Sequence, residues 1–206
     1  ALGLKAGDQF GAAVTVGDDQ NTGSLDLVVG APYADVPGVS STGKPITLKA
    51  AGTVTVYTDL TSIPRYQRVG TQLGEHLGAA VAVDADHHLI VGSSLWDKPI
   101  TLENGKPGKL IDAGKVQVFA GADGISLPVL TLEGVAKGDK YGSAVSAAGT
   151  DINHDGVADW LIGIPGFDAS AVVNLKTTLF LDTGKVLWMS GVLNPPVMEI
   201  SGAVAG

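Results

Sequence analysis

One segment of the sequence has the residue types and spacing of a site for a hard cation. Residues 151–159 read Asp-Ile-Asn-His-Asp-Gly-Val-Ala-Asp, with oxygen-bearing side chains at positions 1, 3, 5 and 9. If the segment coils tightly, these oxygens point inward, and Gly156 supplies the turn that coiling requires. Calcium takes about six to eight oxygen ligands in flexible loops of this kind. The segment therefore predicts a calcium loop whose side-chain ligands are Asp151, Asn153, Asp155 and Asp159.

An Asx-rich turn without an ion is the alternative interpretation of this segment. Three carboxylates that converge without a cation would repel one another, and this repulsion favours the ion. A flexible loop of protein oxygens suits calcium better than the smaller magnesium ion. We expect the ion to have a structural role.

Two other segments match the loop less well. Residues 18–26 place Asp18, Gln20, Thr22 and Asp26 at the same spacing, with Asp19 as a candidate third carboxylate. The weaker charge leaves both a calcium site and a plain turn open there. Residues 84–88 read Asp-Ala-Asp-His-His, which is too short for the loop and predicts a turn without an ion. Adjacent histidines on a strand face opposite sides, which argues against a transition-metal site.

The three segments belong to a threefold internal repeat. Each unit opens with glycine, an acidic residue, any residue, a large apolar or aromatic residue and a second glycine, beginning at Gly7, Gly74 and Gly138. Three further apolar stretches follow in each unit, and four short strands per unit of this length are typical of a β-propeller blade. The sequence thus predicts an all-β fold of three blades, each with four antiparallel strands. The predicted blades cover about residues 7–73, 74–137 and 138–206.

Composition agrees with this architecture and argues against several other classes of protein. The 206 residues include 29 glycines and 10 prolines, which favour short strands and tight turns. A net charge of −8 argues against a nucleic-acid-binding surface, and the lack of cysteine excludes disulfides and thiolate metal sites. No apolar run is long enough to span a membrane. The chain starts at Ala1 without a methionine, which predicts a mature, processed or excised chain.

The repeat resembles the FG-GAP repeat of integrin alpha-chain propellers and their bacterial relatives. Phe10-Gly11 with Gly30-Ala31-Pro32 matches the name literally, Tyr141-Gly142 with Gly163-Ile164-Pro165 is close, and Leu77-Gly78 with Gly92-Ser93-Ser94 is degenerate. The resemblance covers nearly the whole chain, from Gly7 to about Gly202. It implies that segment 151–159 is the family's calcium site, with the main-chain oxygen of Val157 as a further ligand.

The resemblance also implies a function. We expect a calcium-stabilised binding, adhesion or surface-assembly module with a protein or glycan ligand, located outside the cell, where calcium is abundant enough to fill a modest site. We expect no enzymatic activity, because the sequence has no nucleophile elbow and no zinc motif. A lectin-like propeller and an accessory region of a secreted hydrolase or lyase are the alternatives.

Long connections between the second and third strands are candidates for the ligand surface. They span about residues 33–51, 94–113 and 166–183 and predict elaborated hairpins. In integrins the corresponding loops lie on the face that receives ligands, opposite the calcium loops. The candidate ligand-binding residues at their bases are Tyr33, Asp35, Trp96, Asp97, Phe167 and Asp168. The alternatives are that these aromatic residues pack under the hairpins and that these aspartates cap turns.

Three blades do not close a propeller, which typically has about four to eight. Three arrangements remain open: a piece of a longer propeller protein, which we favour, a pair of copies, or a propeller completed by another subunit. Each predicts an extensive interface through the terminal blades.

Overall fold

The computed structural model describes residues 5–58, 63–120, 126–147, 151–173, 176–192 and 196–202. These residues form β-strands and no helix. The strands in the first half are β1 (Ala13–Gly17), β2 (Asp26–Ala31), β3 (Val36–Val39), β4 (Pro45–Leu48), β5 (Thr53–Thr58), β6 (Tyr66–Val69), β7 (Leu77–Val83), β8 (His88–Ser93) and β9 (Lys98–Thr101). Those in the second half are β10 (Pro107–Leu110), β11 (Lys115–Ala120), β12 (Leu130–Glu133), β13 (Ala144–Ala147), β14 (Asp159–Ile164), β15 (Ala169–Val173), β16 (Lys176–Phe180), β17 (Lys185–Ser190) and β18 (Met198–Ser201).

The strands form three antiparallel sheets of four strands, which confirms the predicted fold class. The strand orders are β1-β2-β5-β6, β7-β8-β11-β12 and β13-β14-β17-β18, and we call these sheets blades one, two and three. The three sheets do not close into a ring. Each blade also carries a separate two-stranded hairpin between its second and third strands: β3-β4, β9-β10 and β15-β16.

Apolar side chains between neighbouring blades form the core. One cluster joins Val28 and Val56 of blade one to Leu89 and Val91 of blade two. The other joins blade two to blade three and is centred on Trp160, whose side chain is fully buried. Blade strands alternate their side chains between two faces, so a central blade contributes to both clusters. Burial of apolar area between blades is therefore the main source of stability in this array.

The glycines of the repeat allow the blade backbones to touch. A Cβ atom on Gly30 would lie 2.1 Å from the carbonyl oxygen of Gly78, and a Cβ atom on Gly92 would lie 2.1 Å from that of Gly142. Gly78 and Gly142 themselves have positive φ angles of 84° and 79°, which favour glycine. The glycine after the large residue of one repeat thus packs on the last-but-one residue, a glycine, of the second strand of the preceding blade.

Blades one and three each have one face that no other described blade covers. On blade three, Leu161, Val186 and Ile200 are 38%, 39% and 59% exposed. The residues of blade two that correspond to Leu161 and Val186 are Ile90 and Val116, which are completely buried against blade three. The exposed apolar side chains of blade three therefore occupy positions that are interior elsewhere in the array.

Candidate calcium site

The predicted calcium loop connects β13 to β14 and coils around its own carboxylates. Oδ2 of Asp151 accepts a hydrogen bond of 2.6 Å from the Gly156 N–H, and its Oδ1 accepts one of 3.0 Å from the Asp155 N–H. Gly156 has a φ angle of +90°, as the tight turn requires. Oδ2 of Asp159 accepts a hydrogen bond of 2.5 Å from the Ile152 N–H, which ties the end of the loop to its beginning.

One carboxylate oxygen of this loop is buried without a hydrogen-bond partner among the described residues. Asp159 is buried, and its Oδ1 has no hydrogen-bond partner in the described part of the chain. A buried carboxylate oxygen without a partner carries a large desolvation cost that a cation would offset. The Asp151 carboxylate accepts hydrogen bonds from loop N–H groups. The Asp155 carboxylate accepts them from the Val157 N–H and from the side chains of Asn153 and Ser190. Accordingly, no group of three acidic or histidine side chains within the described ranges converges in a metal-binding geometry.

Side chains outside the loop hold it in place. The Ser190 hydroxyl, at the end of β17, donates a hydrogen bond of 2.5 Å to Oδ2 of Asp155 and lowers the pKa of that carboxyl. The Ala158 N–H donates one of 2.8 Å to Oδ2 of Asp86 in blade two. Val157, whose carbonyl is the ligand implied by the family resemblance, is half-buried and donates its N–H to Oδ1 of Asp155. The loop is therefore ordered by its own blade and by the neighbouring one.

In blade one, an arginine side chain lies at the loop for which the sequence allowed either a calcium site or a plain turn. Asp18 organises the backbone as Asp151 does, accepting hydrogen bonds from the N–H groups of Gln20, Thr22 and Gly23 at 2.6–3.2 Å. The Arg65 guanidinium, however, forms two hydrogen bonds to Asp19, at 2.7 and 2.8 Å, and one of 3.0 Å to Asp26.

These two carboxylates are buried, and the arginine compensates their charge. Burial, followed by the hydrogen bond with Asp19, raises the pKa of Asp26 to about 6, and the Arg65 guanidinium opposes this rise. Sequence reasoning did not identify Arg65. The sequence did contain a signal for it. The backbone N–H of Arg65 bonds to the third strand of its blade, and the residues that make this bond in the other two blades, Val129 and Val197, are apolar.

The corresponding turn of blade two is short, as predicted, and it joins the two neighbouring loops. His87 has a positive φ angle of 67°, and its Nδ1–H donates a hydrogen bond of 2.6 Å to the carbonyl oxygen of Asp18. His88 turns away from it and donates from Nδ1 to Oδ2 of Asp84 at 2.9 Å. Together with the bond from Ala158 to Asp86, these contacts link the corresponding loops of all three blades.

The His88–Asp84 pair predicts a pH dependence of stability. The hydrogen bond to Asp84, with the charges of Asp84 and Asp86, raises the pKa of His88 despite its burial. The protonated ring therefore stabilises the folded state fully below the ordinary histidine pKa of about 6.5, and the contribution is lost as the pH rises through the folded-state pKa. We expect His88→Gln to cost on the order of 1 kcal/mol more at pH 5.5 than at pH 9 in urea unfolding.

His76 provides the matched control, with the opposite sign. Burial lowers the pKa of His76, so its ring opposes folding as the pH falls below about 6.5. His76→Gln should therefore become relatively less costly at low pH. Equal costs of His88→Gln at the two pH values would contradict the charged pair.

The aspartates at the bases of the hairpins act as turn caps. Oδ1 of Asp35, Asp97 and Asp168 accepts hydrogen bonds of 3.1, 3.1 and 2.8 Å from the N–H groups of Ala50, Asp112 and Asp182, respectively. Lys49 and Lys109 also pair with the first two of these carboxylates.

The neighbouring aromatic residues have three different environments. Tyr33 is 43% exposed and lies 4.3 Å from the His76 ring, whereas Trp96 is only 7% exposed. Phe167 lies beneath the Lys185 ammonium at 3.8 Å. The structure thus forms no repeated pocket of aromatic ring and free carboxylate in the described ranges, and ligand binding at these residues stays a prediction.

Comparison with known proteins places these features in a family context. No family model matches the chain. Integrin alpha pat-2 of Caenorhabditis elegans is 27% identical over 97% of the chain, and integrin alpha-V of Gallus gallus is 26% identical over 76%. The resemblance to integrin alpha chains is confirmed. Integrin alpha-IIb of Mus musculus is 32% identical over 50% of the chain. The chain spans only 15%, 14% and 10%, respectively, of the length of these integrin alpha chains. Within the described ranges, no helix has the length and apolarity to cross a membrane.

Proposed function

We propose that this chain is an extracellular, non-catalytic adhesion module whose blades are stabilised by calcium. The observation that carries the proposal is the similarity of nearly the whole chain to an integrin alpha chain, together with the loop at residues 151–159. The proposed ligands are Asp151, Asn153, Asp155, the carbonyl of Val157, and Asp159. The ion would compensate the buried charge of Asp159, which begins β14, and would hold the loop against that strand.

The hairpins are the proposed surface for a protein ligand. Exposed apolar side chains lie on the hairpin strands and directly next to them, including Val39, Ile46, Leu102, Leu179 and Leu181. Exposed apolar side chains clustered on one structural element are typical of protein-binding surfaces. The proposal also includes further propeller blades, packed on the open faces of blades one and three, because their apolar residues occupy positions that are buried between blades.

Calcium is expected to raise the stability of the protein through segment 151–159. At a free concentration of about one hundred times Kd, calcium should add about 2.7 kcal/mol to the free energy of unfolding. The double variant D151N/D155N should lose this increase, because two of the charged ligands are removed while the loop keeps its hydrogen-bond acceptors. The measurement is urea unfolding with calcium and with chelator.

Asp18→Asn is the matched control for this experiment. It makes the change corresponding to Asp151→Asn in the blade-one loop, where we propose that Arg65 replaces the ion, so the calcium response should be unchanged. A wild-type protein that gains no stability from calcium would contradict the proposal. Loss of the response in the control would instead place the ion in blade one.

A further inference from the structure

A cavity in blade one lies where the other two blades carry a lysine packed on an aromatic ring. In blade two, the Lys115 ammonium lies 5.0 Å from the centre of the Trp96 ring and 2.9 Å from the buried carboxylate of Glu75. In blade three, the Lys185 ammonium lies 3.8 Å from the centre of the Phe167 ring and 2.8 Å from Glu199. Both ammonium groups are thus held between a ring face and a carboxylate, an arrangement that is favourable for a cation.

Blade one has neither the aromatic ring nor the lysine at the corresponding positions. The carbonyl groups of Trp96 and Phe167 accept hydrogen bonds from Gly114 and Gly184, and the residue whose carbonyl accepts the corresponding bond from Gly52 is Ala34. The residue that follows this glycine is lysine in blades two and three, but it is Thr53 in blade one. Two large side chains are therefore replaced by two small ones at the same place in the fold.

The space left by these replacements is a cavity of about 480 Å³. Its wall includes the rings of Phe10 and Tyr57 as well as Ala34 and Thr53, so it offers apolar surface to an alkyl chain. A cavity of this volume is within the range of binding sites for small molecules and side chains.

The cavity is lined by the acidic residue that follows the opening glycine of the repeat. Asp8 corresponds to Glu75 of blade two, lines the cavity and is 8% exposed. Its Oδ2 accepts a hydrogen bond of 2.9 Å from the Lys5 N–H. Asp35 adds a second carboxylate to the wall, and the Lys49 hydrogen bond lowers its pKa, so it is ionised at neutral pH. The Lys5 side chain is exposed at this wall, and Lys49 pairs with Asp35, so Asp8 is the carboxylate on which a cation site in the cavity depends.

We propose that this cavity binds a lysine side chain of the polypeptide that packs on the open face of blade one. The alkyl chain would lie against Phe10 and Tyr57, and the ammonium group would approach Asp8. The other two blades support this proposal, because each holds a lysine of its own at the corresponding position. The proposal rests on the proposed packing of further blades on blade one, and it does not depend on calcium binding or on the hairpin surface.

The test is titration of the protein with Nα-acetyl-lysine methylamide, followed by backbone NMR shifts. We expect saturable shifts around Thr53 and Tyr57 with a Kd on the order of 1 mM. The norleucine analogue, which keeps the alkyl chain and lacks the charge, should bind at least about tenfold more weakly. Equal binding of the two compounds, or shifts that do not saturate, would overturn the proposal.

Variants of the cavity locate the binding. Asp8→Asn keeps the acceptor for the Lys5 N–H and removes the charge, so it should weaken binding at least about tenfold. The double variant A34W/T53K rebuilds the blade-two arrangement inside blade one and should abolish binding while keeping the dispersed spectrum of a folded protein. Asp139→Asn makes the same change to the corresponding residue of blade three and should bind like the wild type. Unchanged binding in Asp8→Asn would overturn the assignment whether or not the double variant folds.

Discussion

Replacing Arg65 with alanine is expected to lower the free energy of unfolding by about 3–5 kcal/mol. The side chains of Asp19 and Asp26 are each only 1% exposed, and the arginine forms three hydrogen bonds to them at 2.7–3.0 Å. Its removal would leave two buried carboxylates close together without a cation. Urea unfolding at neutral pH measures the loss. Arg65→Lys should recover only part of it, because an ammonium group cannot reproduce the paired hydrogen bonds to Asp19.

Lys49→Ala is the control for this prediction. Lys49 also pairs with an aspartate, at 2.6 Å from Asp35, but its side chain is 68% exposed. An exposed ion pair contributes at most about 1 kcal/mol, so this variant should be nearly as stable as the wild type. If Arg65→Ala lost no more stability than Lys49→Ala, the guanidinium would not be the charge that holds the blade-one loop together.

Gly92→Ala is expected to destabilise the protein by at least about 3 kcal/mol. The new Cβ atom would lie 2.1 Å from the carbonyl oxygen of Gly142, and backbone cannot move aside as a flexible side chain can. Blades two and three would have to separate, which would loosen the cluster around Trp160. The expected signs are a lower urea midpoint and a change in tryptophan fluorescence.

Gly163→Ala is the matched control, because Gly163 holds the same place in blade three. The nearest atom to its Cβ would be the Ala144 Cβ at 3.2 Å, and its φ angle is not positive. The change should cost less than about 1 kcal/mol and can even stabilise the protein by restricting the unfolded chain. Equal losses for the two variants would mean that close contact between blades is not what requires glycine at Gly92.

The architecture could be predicted from sequence because the same pattern of apolar stretches occurs in all three repeats. Apolar stretches in register at three places exclude accidental patterns, and the four strands of each blade appear in the structure where these stretches lie. Identity between short sequence segments was a poorer guide to their position in the fold. Residues 44–48 and 98–102 share the sequence Lys-Pro-Ile-Thr-Leu, yet residues 45–48 form the second strand of one hairpin and residues 98–101 form the first strand of another.

The loops show where sequence reasoning stops. Spacing can carry information about how the chain coils around Asp18 and Asp151, because those hydrogen bonds join residues within five positions of each other. It could not predict Arg65, which lies 39 positions from Asp26 in the sequence and reaches it only through the folded blade. The cavity beside Asp8 was equally hidden, because it arises from what Ala34 and Thr53 lack in comparison with their counterparts. Whether segment 151–159 holds calcium stays a prediction.

The hairpins have a consequence for how the outer surface can diversify. Each begins and ends beside two residues that lie opposite each other on neighbouring blade strands, so the blade fixes the distance between its ends. These pairs are Ala31 with Thr53, Ser93 with Lys115 and Ile164 with Lys185. The aspartate at each base adds a hydrogen bond, and in blades one and two the residues after the hairpin accept backbone hydrogen bonds from the next repeat. The hairpin strands themselves share no sheet with the blade. Hairpins should therefore be exchangeable between blades or replaced by foreign sequences at little cost in stability. In this sense the blades are a display scaffold, on which recognition can evolve separately from folding.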